Sequence, residues 1–188
     1  MKPIENAIYN ESKNTYKPIP EGTYPAHISK FESKEYNGAY VFNVTFKVAE
    51  EAKDIEFAEQ QKDNNGKLVP TGASVTGQQA VGKEYRTDKG IWLTPNLSEE
   101  DSWKNKRYAE FFASIGMAFG KDDNGNTQLQ MVEEADVMGL PCLIQLVNTE
   151  FKNADGETRS SLKVGKVHKW EDGERISSDE LEADDLPF

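Results

Sequence analysis

Nine residues, Tyr40-Val41-Phe42-Asn43-Val44-Thr45-Phe46-Lys47-Val48, constrain the fold of this chain more than any other stretch. Tyr40, Phe42, Val44, Phe46 and Val48 are apolar, while Asn43, Thr45 and Lys47 between them are polar. A period of two places the apolar set on one face of a half-buried β-strand, because successive strand side chains point to opposite faces. Just ahead lies Asn37-Gly38, a dipeptide favoured in two-residue hairpin turns, which need positive φ at both central positions. Before the turn, Tyr24, Ala26 and Ile28 alternate with mostly polar residues. Two antiparallel strands joined by Asn37-Gly38 follow, and Pro25, which lacks an amide donor, predicts an unpaired edge at the start of the first.

The rest of the chain arranges itself around this hairpin. Residues 1–21, rich in Asn, Lys, Glu and Pro, read as an extended amino-terminal arm. Residues 49–82 lose the period and are dominated by Glu, Gln, Asn, Asp and Gly. They are expected to form a long, partly mobile insertion with a short hairpin around Lys67-Leu68-Val69. A third strand is expected from Lys83-Glu84-Tyr85-Arg86 through Gly90-Ile91-Trp92-Leu93-Thr94, bent at Gly90 and limited by Pro95. Tyr108, Phe111, Phe112, Ile115 and Phe119 then fall on one face of a helix that must pack on a sheet and stops near Gly120. Asp122–Asn126 is a turn without the closing Glu of a calcium loop. Leu140, Cys142, Ile144 and Leu146 mark a central strand that is apolar on both faces. Asn153-Ala154-Asp155-Gly156 turns the chain into a last strand from Arg159 to Trp170, with a bulge at Gly165 where Val167 breaks the parity of Leu162 and Val164.

Three strands, a helix and two more strands over residues 22–170 give a mainly β fold. The order is that of a five-stranded OB-fold barrel with one helix between strands 3 and 4 and a long insertion between strands 2 and 3. An SH3-like barrel would lack the helix, and a parallel α/β sheet would need more crossovers.

Charge divides the chain further. The net charge of −11 argues at first against a nucleic-acid partner. Residues 171–188 hold eight acidic residues against one basic, so they carry −7 and leave only −4 on everything before them. Residues 140–170 are locally basic, with Lys152, Arg159, Lys163, Lys166 and Lys169 against three acidic residues. The acidic segment has too little apolar surface to offset its ordering entropy and is expected to be a disordered carboxyl-terminal tail.

The tail ends in Asp184-Asp185-Leu186-Pro187-Phe188. An aromatic ring, a proline and a terminal carboxylate suit a small apolar pocket rimmed by basic groups. This tip resembles the acidic carboxyl-terminal peptide of the single-stranded DNA-binding proteins of bacteria and phages, and the body resembles the OB-fold of the phage group. The resemblance implies a phage-encoded protein that coats and protects single-stranded DNA, without reading sequence, during replication, recombination and repair. It further implies that Asp184, Asp185, Leu186, Pro187 and Phe188 recruit protein partners such as a polymerase, helicase, primase or recombinase, in the host-cell cytoplasm, without a cofactor.

A protein of that kind needs cations for phosphates and aromatic faces for bases. Tyr85, Arg86, Lys89 and Trp92 on the third strand form one candidate cluster. Lys30, Phe31, Lys34 and Tyr36 around the first hairpin form a second, beside Tyr40 on the apolar face; Lys152, Arg159, Lys163, Lys166, Lys169 and Trp170 form a third. Core packing competes with stacking for every ring, and a solvated surface competes with phosphate contact for every lysine. For Trp103, near Lys104, Lys106 and Arg107, stacking on a base competes with a hydrophobic clamp at the start of the helix, and the clamp is expected.

Other functions find less support. Cys142 is the lone cysteine, which leaves no disulfide framework, and with only His27 and His168 beside it no zinc-ligand spacing exists. No nucleophile elbow or phosphate-cradling glycine loop is present, so an enzyme is not expected. No stretch approaches the length of a membrane span, and a soluble intracellular protein that makes no membrane contact is expected. Self-association into a homo-oligomer stays open. The alternatives are an acidic DNA mimic or protein-binding adaptor that binds no nucleic acid, and a metal-dependent nuclease.

Overall fold

A computed structural model describes residues 18–63, 67–95, 102–156 and 158–183. The protein is mainly β and its sheets are antiparallel. Strands β1 (Gly22–Tyr36) and β2 (Ala39–Val48) form the long hairpin, turning at Asn37 and Gly38 with φ of 51° and 76°. The ladder to β2 begins at Ala26, one residue after Pro25. On its other side β1 pairs through Gly22–His27 with β7 (Pro141–Lys152), which in turn pairs with β8 (Thr158–Lys169).

The expected third strand is broken in two. β5 (Glu84–Arg86) and β6 (Ile91–Leu93) both pair with β2, and Thr87–Gly90 loops out between them. A Cβ on Gly90 would stand 2.3 Å from the Val41 side chain, so only glycine lets the chain return to the sheet there. The sheet order is β5-β2-β1-β7-β8, and its two ends meet at one isolated parallel bridge, Thr87 to Val164. No continuous ladder closes a barrel among the described residues.

The insertion is more regular than its composition implies. Short 3₁₀ turns at Glu50–Asp54 and Gly77–Ala80 flank a two-stranded sheet of β3 (Glu56–Lys62) and β4 (Leu68–Thr76). Phe57 anchors it, stacking on Tyr24 with ring centroids 4.2 Å apart.

Helix α1 (Ser102–Ser114) buries Tyr108 and Phe112 against Phe42 and Phe31. It ends earlier than its apolar spacing predicts. Gly116, with φ of +88°, donates to the Ala113 carbonyl and Met117 to that of Phe112, a Schellman closure. Phe119 therefore reaches Tyr108 and Phe112 from the loop beyond, and not along the helical face. Gly165 is the extra residue of a bulge in β8, and a Cβ there would crowd Val147 at 3.1 Å.

Three expectations are overturned by packing. Phe31, proposed to stack a base, is 7% exposed. The β1–β2 register skips Ser29, and this bulge moves the buried parity from Tyr24, Ala26 and Ile28 to Phe31. The segment from residue 171, expected to be disordered, is folded against the body as far as Ala183. There Ile176 donates to the Gly139 carbonyl at 3.1 Å, while Arg175 donates to the Ala135 and Met138 carbonyls of and beside the short helix α2 (Glu134–Val137). Gly173 fits against Pro141 and Trp170 where any Cβ would clash at 2.5 Å. The last helix, α3 (Ser178–Ala183), carries buried Leu181 and accepts a 2.6 Å hydrogen bond on its carbonyl from Lys47. Lys47, expected to face solvent, is only 4% exposed beneath it. Ser177 and Glu180 bond each other's backbone amides as a capping box, a signature that Ser177-Ser178-Asp179-Glu180 carries in the sequence.

Candidate nucleic-acid interface

The place where the sheet fails to close is a cleft of about 780 Å³. One wall is the looped-out segment Thr87–Lys89, which rejoins the sheet through the tightly packed Gly90. A second is the face of α1 bearing Arg107, Glu110, Phe111 and Ser114, positions spaced by three and four and hence on one side of the helix. The third is β8 from Lys163 to His168, with Val147 and Thr149 of β7 behind it. Ile91, Phe111, Val147, Val164 and Val167 supply apolar surface. Four cations, Lys89, Arg107, Lys163 and Lys166, converge on it against two carboxylates, Asp88 and Glu110.

Asp88 and Lys163 bridge the seam at 2.5 Å, one from each end of the sheet. The Lys163 hydrogen bond, with the fields of Lys163 and Lys89, holds the Asp88 carboxyl below its ordinary value. Glu110 also meets Lys106, one turn back on the helix, at 3.7 Å.

Of the cations expected from sequence, Lys89, Lys163 and Lys166 come together here, and Arg107 joins them from the helix. The others are dispersed. Lys30 pairs with Glu84 at 2.7 Å, Arg86 with Glu32 at 3.2 Å and Lys169 with Glu171 at 2.7 Å. Exposed pairs of this kind contribute about 0–1 kcal/mol, so a phosphate could compete for each cation. Lys34 is exposed on β1, and Lys152 and Arg159 lie exposed toward the β7–β8 turn.

The aromatics divide in the same way. Tyr85 is half-buried against the core. Trp170 packs on His27, whose Nε2 bonds the Glu174 carbonyl at 3.0 Å. Tyr36 and Trp92 do meet, edge to face at 6.4 Å and 83°. Trp103, expected to clamp the helix start, is 56% exposed among the described residues. Arg107 and Trp103 stand one turn apart on α1, but nothing local in the sequence shows that the Arg107 face looks onto β8.

Asp184, Asp185, Leu186, Pro187 and Phe188 lie outside the described residues. Among those described, no helix is long and apolar enough to cross a membrane, and no group of three His, Cys, Asp or Glu side chains is placed to hold a metal ion. The chain matches no protein-family model and no curated protein.

Proposed function

We propose that the protein binds single-stranded DNA without sequence preference, phosphates running through the cleft between the Thr87–Lys89 loop, α1 and β8. The observation that carries this reading is the convergence of Lys89, Arg107, Lys163 and Lys166, from three separate elements, on one open groove of a chain whose net charge is −11. Cations collected against that background serve an anionic ligand. The strand order, with β1 between β2 and β7 and a helix before β7, is consistent with an OB-fold in which the seam was left open. Under the same reading Asp184–Phe188 recruits replication or recombination proteins, as in the phage and bacterial proteins that this tip resembles.

The test is a fluorescence-anisotropy titration of the full chain with oligo-dT and with duplex of equal length, at two salt concentrations. The expected result is a preference for oligo-dT whose affinity falls steeply with salt. The net acidity favours a second reading, a DNA mimic or adaptor that docks on a basic protein. Absence of binding to either nucleic acid would overturn the first reading in favour of the second.

A further inference from the structure

Three elements that are distant in sequence place their aromatic residues in one exposed patch. Tyr36 comes from the tip of the β1–β2 hairpin, Trp92 from β6 opposite Val41, and Trp103 from the first turn of α1. Lys104 stands between the two indoles, its Nζ 5.7 Å from the centre of Trp92 and 5.9 Å from that of Trp103. These separations lie within cation–π range. Tyr36 meets Trp92 edge to face. A satellite core would bury such rings, yet Tyr36 keeps 64% and Trp103 56% of its surface in solvent.

The patch is continuous with the cleft. Trp103 and Arg107 are neighbours on α1 at a spacing of four, and Glu110, Phe111 and Ser114 carry the same face onward. At 1.5 Å per residue this face runs about 16 Å from the aromatic patch into the cation-lined groove.

We propose that Trp103, with Trp92 and Tyr36, is a stacking platform for unpaired nucleobases at the mouth of the cleft. It rests on the single-strand reading above and assigns a base-contacting role to a residue on the helix. Lys104, held over the indoles, meets the phosphate beside a stacked base. The strand then continues past Arg107 toward Lys89 and Lys166. Stacking of this kind tolerates any base, because every base has a π-face.

The experiment compares oligo-dT with an abasic deoxyribose-phosphate oligomer of equal length, using the full chain and its Trp103→Ala, Trp103→Phe and Lys166→Ala variants. Oligo-dT is expected to quench tryptophan fluorescence. Trp103→Ala should weaken its binding about 5- to 150-fold, the range for one lost base stack. Trp103→Phe should recover most of that loss, and binding of the abasic oligomer should be unchanged by either. Lys166→Ala should weaken both ligands equally. If the unaltered chain binds oligo-dT but Trp103→Ala binds as tightly, or loses affinity for both ligands alike, the platform is overturned while the cleft reading stands. If the unaltered chain binds neither ligand, both fall together.

Discussion

Asp88 is the residue whose role follows most directly from its neighbours. Its carboxylate takes the Lys163 ammonium at the point where the two ends of the sheet approach, so inside the proposed groove it competes with any phosphate. Its depressed pKa gives the sign of the pH dependence. The interaction is fully present above the ordinary carboxyl value of 3.8 and is lost as pH falls through the lower folded value. At neutral pH the pair is intact. Asp88→Asn is therefore expected to tighten oligo-dT binding several-fold at low salt and to steepen the salt slope by about 0.7, one further phosphate contact on a single strand. Anisotropy titrations across a salt series measure both. Weaker binding by Asp88→Asn would mean that the pair holds the groove in shape.

At the scale of elements, the folded carboxyl-terminal strap changes how the tail must be dissected. Removing residues from Asp179 onward would take away Leu181 and the carbonyl that receives the buried Lys47 ammonium, so lost stability and lost partner contact would be confounded. A chain ending at Ala183 should keep its thermal midpoint and its oligo-dT binding while losing any stimulation of partner proteins. One ending at Trp170 should melt lower. Leu181→Ala should raise hydrogen exchange at the Ile176 and Leu181 amides, which are bonded to the Gly139 and Ser177 carbonyls. Its cost is capped by the free energy of undocking the strap, below the roughly 2–5 kcal/mol of a Leu→Ala change in a central core. Unchanged exchange at both amides would show that Leu181 does not hold the strap.

For the molecule as a whole, burial governs the response to alkali. Tyr24 donates to the Pro20 carbonyl at 2.7 Å; Tyr108 donates to that of Gln130 and accepts from the Val132 amide. Burial raises the phenol of Tyr24 and pushes that of Tyr108 up to about 12, and it pushes the Cys142 thiol up to about 12. Each group favours its neutral form in the folded state. Its contribution is complete below the ordinary values of 10.0 for the phenols and 9.0 for the thiol, and declines as pH rises through the folded values. Thermal midpoints should therefore fall between pH 9 and 12, at constant ionic strength. A flat profile over that window would place these side chains in solvent.

Local order was legible where one period or one turn decides it. The alternation of Tyr40–Val48, the Asn37-Gly38 turn, the strand around Cys142–Leu146, the Gly165 bulge and the Tyr108–Phe112 face of α1 follow from residues that are close in sequence. Hydrophobic periodicity and turn chemistry act over that range. What only the tertiary structure decided depends on distant partners. The bulge at Ser29 reverses the buried parity and takes Phe31 into the core, Val41 leaves no room for a Cβ at Gly90, and Lys47 is covered by a carbonyl from Leu181. The acidic strap reads as unfolded because composition records its charge; buried Leu181, the Arg175 guanidinium on the Ala135 and Met138 carbonyls, and the backbone bond from Ile176 to Gly139 hold it instead. The cleft is the clearest case. In sequence Lys89 and Lys166 belong to separate candidate clusters and Arg107 to neither, and only a sheet that stops short of closing brings their charges together.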